Sequence, residues 1–175
     1  MNVGTSGNNG TNGSTPHLRL QMLSNPLYLS GARELVSSVA KRLGFPDTAC
    51  GQIALAVDEA LCNVMRHGYD RREDAPIWIS VWPFTDEHGD ALRIVIEDEA
   101  KQVDPAAIKS RDLEQIRPGG LGVHIIKEVM DDAVYEKRDA VGMRLTLVKR
   151  KAPKPTPAPT ATSAPAPNAS GNSDV

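Results

Sequence analysis

No stretch of this 175-residue chain approaches 18 consecutive apolar residues, so nothing in it reads as a membrane-spanning helix. Its opening residues lack the basic and apolar regions of a secretory signal. Cysteine is nearly absent, with only Cys50 and Cys62. Twelve positions apart on what reads as one helix, they lie roughly 18 Å apart along its axis, too far for a disulfide. Neither has a second metal ligand at zinc spacing. Two unpaired thiols without an export signal are expected of a cytoplasmic protein. An excess of charge is missing too: the formal net charge of −2 carries no nucleic-acid footprint. There is no internal repeat, no GxxxxGK[ST], and no GxGxxG following a strand, which removes the P-loop and dinucleotide-fold readings.

What is present divides into three parts. Residues 1–16 are mostly Gly, Asn, Ser and Thr with no apolar run, and are expected to form a disordered tail. Residues 151–175 turn to Pro, Ala, Thr and Ser, which reads as a second disordered tail and acts as a linker. Residues 17–150 are of ordinary domain size and can hold a core.

Within that domain the hydrophobic pattern switches between two periods. Residues 17–23 alternate, with Leu18, Leu20 and Met22 apolar, as a half-buried strand does. Ser30 is placed to cap a helix through Leu43, with Gly44 as its stop and Pro46 preventing continuation. Asp47 or Thr48 then caps a second helix to about His67, ended by Gly68. Residues 77–82 and 92–97 read as antiparallel strands about a turn at 86–90. A polar segment follows Asp98, with a short helix near 105–109. A glycine-rich stretch then leads into a helix over 123–130, and strands at 133–137 and 143–149 close the domain. Helices gathered between antiparallel strands predict a two-layer α+β sandwich with helices on one face.

The second helix carries the most informative pattern. Glu59, Asn63 and His67 fall four apart, so on an α-helix they line one stripe about 12 Å long. Val57, Ala60, Leu61, Val64 and Met65 form the face that buries itself. A second candidate is the glycine loop Gly119-Gly120-Leu121-Gly122 opening a helix, where backbone N–H groups and the helix dipole favour an anion.

Taken in order, Glu59-x-x-x-Asn63-x-x-x-His67, a strand ending in Asp98, and Arg117-Pro118-Gly119-Gly120-Leu121-Gly122 resemble the GHKL nucleotide-binding superfamily. The closer resemblance is to small anti-sigma serine kinases of the RsbW and SpoIIAB type. It covers essentially all of residues 17–149. The resemblance implies the Bergerat ATP-binding fold, a mixed, mostly antiparallel sheet backing helices, with ATP and magnesium as cofactors. It makes Glu59 the general base and Asn63 the magnesium ligand, an oxygen donor suited to a hard cation. Asp98 would accept a hydrogen bond from the adenine amino group. Gly119, Gly120, Leu121 and Gly122 would wrap the phosphates, and Arg117 would reach the terminal one. His67, Arg66 and Tyr69 are read instead as residues suited to a helix C-terminus.

One position departs from the family pattern. Asp98-Glu99-Ala100 has alanine where glycine is usual, and its methyl is expected to crowd the adenine pocket. The function implied is an ATP-dependent serine-protein kinase and anti-sigma factor acting on a STAS-type anti-anti-sigma partner. A sigma factor would be its second partner, and a homodimer its working form. The alternative is a nucleotide-gated binding module that sequesters a partner without phosphorylating it. A sensor histidine kinase would need a phospho-accepting helical hairpin, and a topoisomerase- or chaperone-type ATPase would need further domains.

Overall fold

The computed structural model describes residues 15–108 and 121–151. The expected phosphate-loop residues Arg117, Gly119 and Gly120, and most of both tails, lie outside the described residues. In chain order the elements are β1 (Leu18–Leu23), α1 (Leu29–Arg42), α2 (Asp47–Asn63), β2 (Pro76–Asp86), β3 (Gly89–Asp98), α3 (Gly122–Val129), β4 (Asp132–Lys137) and β5 (Met143–Arg150). The strands form one open sheet in the order β1-β2-β3-β5-β4. Every pairing among the described residues is antiparallel, which narrows the expected mixed, mostly antiparallel sheet.

Strand alternation decides which residues meet the helices. Ile77, Ile79 and Val81 of β2, Leu92, Ile94 and Ile96 of β3, and Leu145 and Leu147 of β5 all enter the core. There they meet Ala32, Val36 and Ala40 of α1, and Ile53, Val57, Ala60 and Leu61 of α2. Ile126 and Met130 bring α3 into the same cluster. On the other face the sheet is covered by its own long side chains. Arg93 stacks over Trp82 at 4.6 Å, Arg138 lies over Trp78 at 5.3 Å, and Arg144 donates twice to Glu97 Oε1.

The element ends differ from the sequence pattern for local reasons. β2 runs on through Pro83 to Asp86, leaving a two-residue turn at Glu87 and His88. Proline is tolerated because β1 pairs with β2 only as far as Val81, so at Pro83 one edge is open. Ser30 does not cap α1. Asn25 accepts a hydrogen bond from Leu27 N (2.9 Å) and starts a 3₁₀ turn, Pro26–Tyr28, that feeds the helix. Nor does Asp47 or Thr48 cap α2; Pro46 precedes it, and Asp47 pairs with Lys41 at 3.0 Å. Gly44, at φ +84, does end the α1 region. The expected helix near 105–109 is a 3₁₀ turn, Pro105–Ala107.

The largest difference concerns the end of α2. The α-helix stops at Asn63, and Val64–Gly68 forms a π turn closed by Tyr69 N donating to Val64 O at 2.8 Å. The left-handed residues that finish it are Asp70 (φ 48) and Arg71 (φ 64), not Gly68. A π turn inserted after a helix is a frequent mark of a functional site.

Candidate functional site

Glu59 and Asn63 stand one turn apart on the last stretch of α2, and both face the first residue of α3. A methyl built on Gly122 would lie 2.7 Å from Glu59 Oε2 and 3.2–3.3 Å from the two ends of the Asn63 amide. Only a residue without a side chain lets the two helices close so tightly. The pair therefore rests against the N-terminal backbone of α3, whose first N–H groups receive no side-chain cap. Asn63 Nδ2 is buried and has no hydrogen-bond partner among the described residues. A buried amide left unsatisfied is costly, so this atom marks a place built to meet something more.

The wider π turn shifts the register after Asn63, and His67 ends up exposed. The stripe of three residues is thus a pair. Leu121, also read as a phosphate-loop residue, precedes α3 and is exposed.

Asp98, the last residue of β3, shares the helix-side face of Ile94 and Ile96 and is only 4% exposed. One carboxylate oxygen, Oδ1, accepts from Ala100 N (2.8 Å) and Met143 N (3.1 Å). Its carbonyl accepts from Arg138 Nη1 at 2.6 Å, and the Arg138 carbonyl is held in turn by Gln102 Nε2. The β4–β5 turn closes over the same point, with Gly142 at φ +85. A methyl on Gly142 would sit 1.8 Å from the Asp98 carbonyl oxygen. Asp98 is therefore fixed by backbone on two sides, with Oδ2 uncommitted in the hydrogen bonds to Ala100 and Met143.

Burial pushes the Asp98 carboxyl above the usual Asp range, with the Ala100 and Met143 amides and Arg138 opposing that shift. A carboxyl whose folded pKa is raised favours the fold fully below its unfolded pKa and loses that contribution as pH rises through the folded value. Near neutral pH the charged form thus works against the fold. We expect Asp98→Asn, which keeps Oδ1 as acceptor, to melt at or above the parent temperature at pH 7. In thermal unfolding followed across pH, that advantage should shrink toward pH 4.

Ala100 also has a neighbour that the sequence did not show. It is 5% exposed, and a methyl built on Gly68 would be 3.0 Å from the Ala100 Cβ. Ala100 therefore packs against Gly68 at the end of the π turn. Gly68→Ala should destabilise by about 1 kcal/mol, overpacking outweighing the better backbone propensity. With Ala100→Gly already in place the same change should become neutral or stabilising. Urea unfolding of the four proteins reads this reversal of sign; a cost unchanged by the Ala100 background would sink the pairing.

Sequence reasoning missed Gly142, Arg138 and Tyr69. Gly142 was visible only as a turn glycine, and nothing in the pattern said which strand end it would meet. Tyr69, read as a helix-end residue, is 6% exposed and bonded through its hydroxyl to Pro76 and Glu99.

An antiparallel sheet backed by helices, with a Glu–Asn pair on one helix facing the glycine start of another and a buried aspartate at a strand end, defines a layered α+β domain of the nucleotide-binding kind. Residues 22–149, well over half of the chain, match the histidine kinase-like ATPase domain. The protein belongs to that family. Among curated proteins it is similar to serine-protein kinase RsbW of Listeria innocua, 28% identical over 134 residues covering 74% of this chain and 85% of the relative. It is 25% identical to RsbW of Bacillus subtilis over 138 residues, 74% and 84% of the two chains. In fold it is similar to a chain of the SiaB–SiaC complex from Pseudomonas aeruginosa, with a TM-score of 0.58 at 14% identity over 76% and 89% of the chains. It is also similar to the RsbU and RsbW domains of a Mycobacterium tuberculosis protein, with a TM-score of 0.51 at 16% identity, covering 78% of this chain but 32% of that one. Among the described residues no helix is long and apolar enough to cross a membrane.

Proposed function

We propose that this protein is an ATP-dependent serine-protein kinase and anti-sigma factor that phosphorylates a STAS-type anti-anti-sigma partner. One observation carries the reading: Glu59 and Asn63 are held side by side against the backbone of Gly122 where α3 begins. A base, an amide and the uncapped start of α3 meet at one point, an arrangement suited to phosphoryl transfer to a hydroxyl. The RsbW names of its relatives support the same reading.

In this reading Asp98 would anchor adenine by accepting from its 6-amino group, and Gly122 would lie at the phosphate end of the site. Asn63 suits magnesium: turned over about its last bond, its amide sets an oxygen where the orphaned nitrogen lies, a hard ligand for a cation that keeps most of its waters. Magnesium, when bound, neutralises charge on the phosphates. Leu121 and Gly122, with Gly119 and Gly120 before them in the chain, would offer backbone N–H groups to the phosphates, and Arg117 would meet the terminal one. Glu59 orients the acceptor serine. As the serine oxygen bonds to the γ-phosphorus and the bond to ADP breaks, the serine proton passes to the Glu59 carboxylate. Sigma-factor binding, a homodimer and a cytoplasmic setting belong to the same proposal.

The test is incubation with labelled ATP, magnesium and purified STAS-domain proteins from the same source, which should place phosphate on serine. A second reading, a nucleotide-gated binding module, is favoured by the Ala100 departure. It would be selected by nucleotide-dependent capture of one of these proteins with no phosphate incorporated. On either reading, Asp98→Asn should weaken ATP binding at least about tenfold, the cost of a lost charge-assisted hydrogen bond. Calorimetric titration checks this, and unchanged affinity would remove Asp98 from the site.

A further inference from the structure

The antiparallel ladder between β2 and β3 ends at the pair Ile77 and Asp98. One step further, the register would set Pro76 opposite Glu99. Instead, the hydroxyl of Tyr69 lies between their backbone groups. It donates to the Pro76 carbonyl at 2.6 Å and accepts from the Glu99 N–H at 2.6 Å. A phenol thus takes the place of a rung, and it does so immediately beside Asp98.

The same residue acts at the other end of the site. The Tyr69 backbone N–H closes the π turn onto Val64 O at 2.8 Å, and that turn continues directly from Asn63. Tyr69 is buried and lies in the hydrophobic core cluster, so its ring has little freedom to carry the hydroxyl elsewhere. One side chain therefore ties the end of the Glu59–Asn63 helix to the strand end that presents Asp98. The neighbouring contact between Gly68 and Ala100 joins the same two segments.

We propose that Tyr69 is a positioning residue for base recognition: its hydroxyl, inserted between Pro76 and Glu99, holds the β2 and β3 ends apart and sets Asp98 for the adenine amino group. The inference rests on the reading of Asp98 as the adenine anchor. Removing the hydroxyl leaves the Glu99 N–H and the Pro76 carbonyl to pair directly or to remain unpaired. Direct pairing pulls the backbone that carries Asp98 toward β2, and an unpaired Glu99 N–H leaves that backbone without its anchor. The loss falls on the one ligand group that Asp98 reads, the 6-amino group, and spares phosphate binding.

Inosine triphosphate probes that edge of the base, because it carries a 6-oxo in place of the 6-amino and an N1–H in place of a bare N1. Calorimetric titration of the full chain with magnesium and either nucleotide should show a preference for ATP. Tyr69→Phe should cut that preference about tenfold, with inosine triphosphate affinity changed less than about twofold. A merely structural tyrosine would lower the melting temperature and weaken both nucleotides alike, and that result would overturn the proposal, as would an unchanged preference. If the unaltered protein shows no preference, the reading of Asp98 fails and this inference falls with it. If preference is present but insensitive to Tyr69→Phe, only the inference fails. Should Tyr69→Phe not fold, linkage supplies the second test in the unaltered protein. A bridge that favours adenine must itself be favoured by adenine. Deuterium exchange at the Glu99 amide should then slow more with saturating ATP than with saturating inosine triphosphate, and equal slowing would overturn the proposal.

Discussion

Gly142→Ala is expected to be the most damaging methyl that can be added at any of the described glycines. The position needs a left-handed backbone, at φ +85, which alone costs a non-glycine residue about 1–2 kcal/mol. The added Cβ would also fall 1.8 Å from the Asp98 carbonyl oxygen and 2.9 Å from Glu99 Cα. Both obstacles are backbone, so no side chain can swing aside. The β4–β5 turn must lift from the end of β3, giving up the bonds that Met143 N and Arg138 make to Asp98. We expect a loss of at least about 3 kcal/mol, and no measurable nucleotide binding in whatever remains folded. Gly44→Ala is the matched control. Its φ is +84, yet its Cβ would meet only the Lys151 ammonium at 3.6 Å. That variant should lose about 1 kcal/mol and bind nucleotide as the parent does. Denaturant unfolding of the two variants separates the cost of the backbone angle from the cost of displacing Asp98. Similar losses in both would show that Gly142 matters only for its angle.

Glu59→Gln is expected to have the largest effect on chemistry with the least on structure. Glutamine keeps the length and shape of the side chain resting on Gly122, so the approach of α2 to α3 survives. What disappears is basicity, since an amide cannot take the serine proton. General-base assistance contributes about 10²–10⁴ in rate. On the proposed function, phosphate transfer should fall within that range while ATP binding, assigned there to Asp98 and the phosphate contacts, is nearly unchanged. A loss of binding equal to the loss of rate would make Glu59 a binding residue, not a base.

Much of this was legible in the chain because it depends on local periodicity. The alternation of Ile77, Ile79 and Val81 and the helical spacing of Glu59 and Asn63 are properties of a few consecutive residues, and the structure keeps both. Element ends were less legible, because they are set by neighbours remote in sequence. Pro83 looks like the end of a strand until the stopping point of β1 shows that one edge there is open. The π turn was hidden for a related reason. The sequence pattern continued the α-helix to His67, while contact with Glu99 and Ala100, just beyond the end of β3, accompanies the switch at Val64. Within the site, Glu59, Asn63 and Gly122 were named from their motif and are found together. The frame around Asp98 was not, because Tyr69 follows the π turn while Arg138 and Gly142 come from the β4–β5 turn, two separate segments that share no motif. Ala100 shows the limit of motif reasoning most clearly: its departure was seen, but its partner, Gly68, could be found only in the packing.

The measurement that bears most directly on the central claim is the initial rate of phosphate transfer from ATP to a purified STAS-domain acceptor, run for the unaltered protein and for Glu59→Gln beside a calorimetric titration of each with ATP. The account predicts phosphoserine with the unaltered protein, a rate at least about a hundredfold lower for the variant, and ATP affinities within about threefold of each other. Equal rates in the two proteins would contradict it.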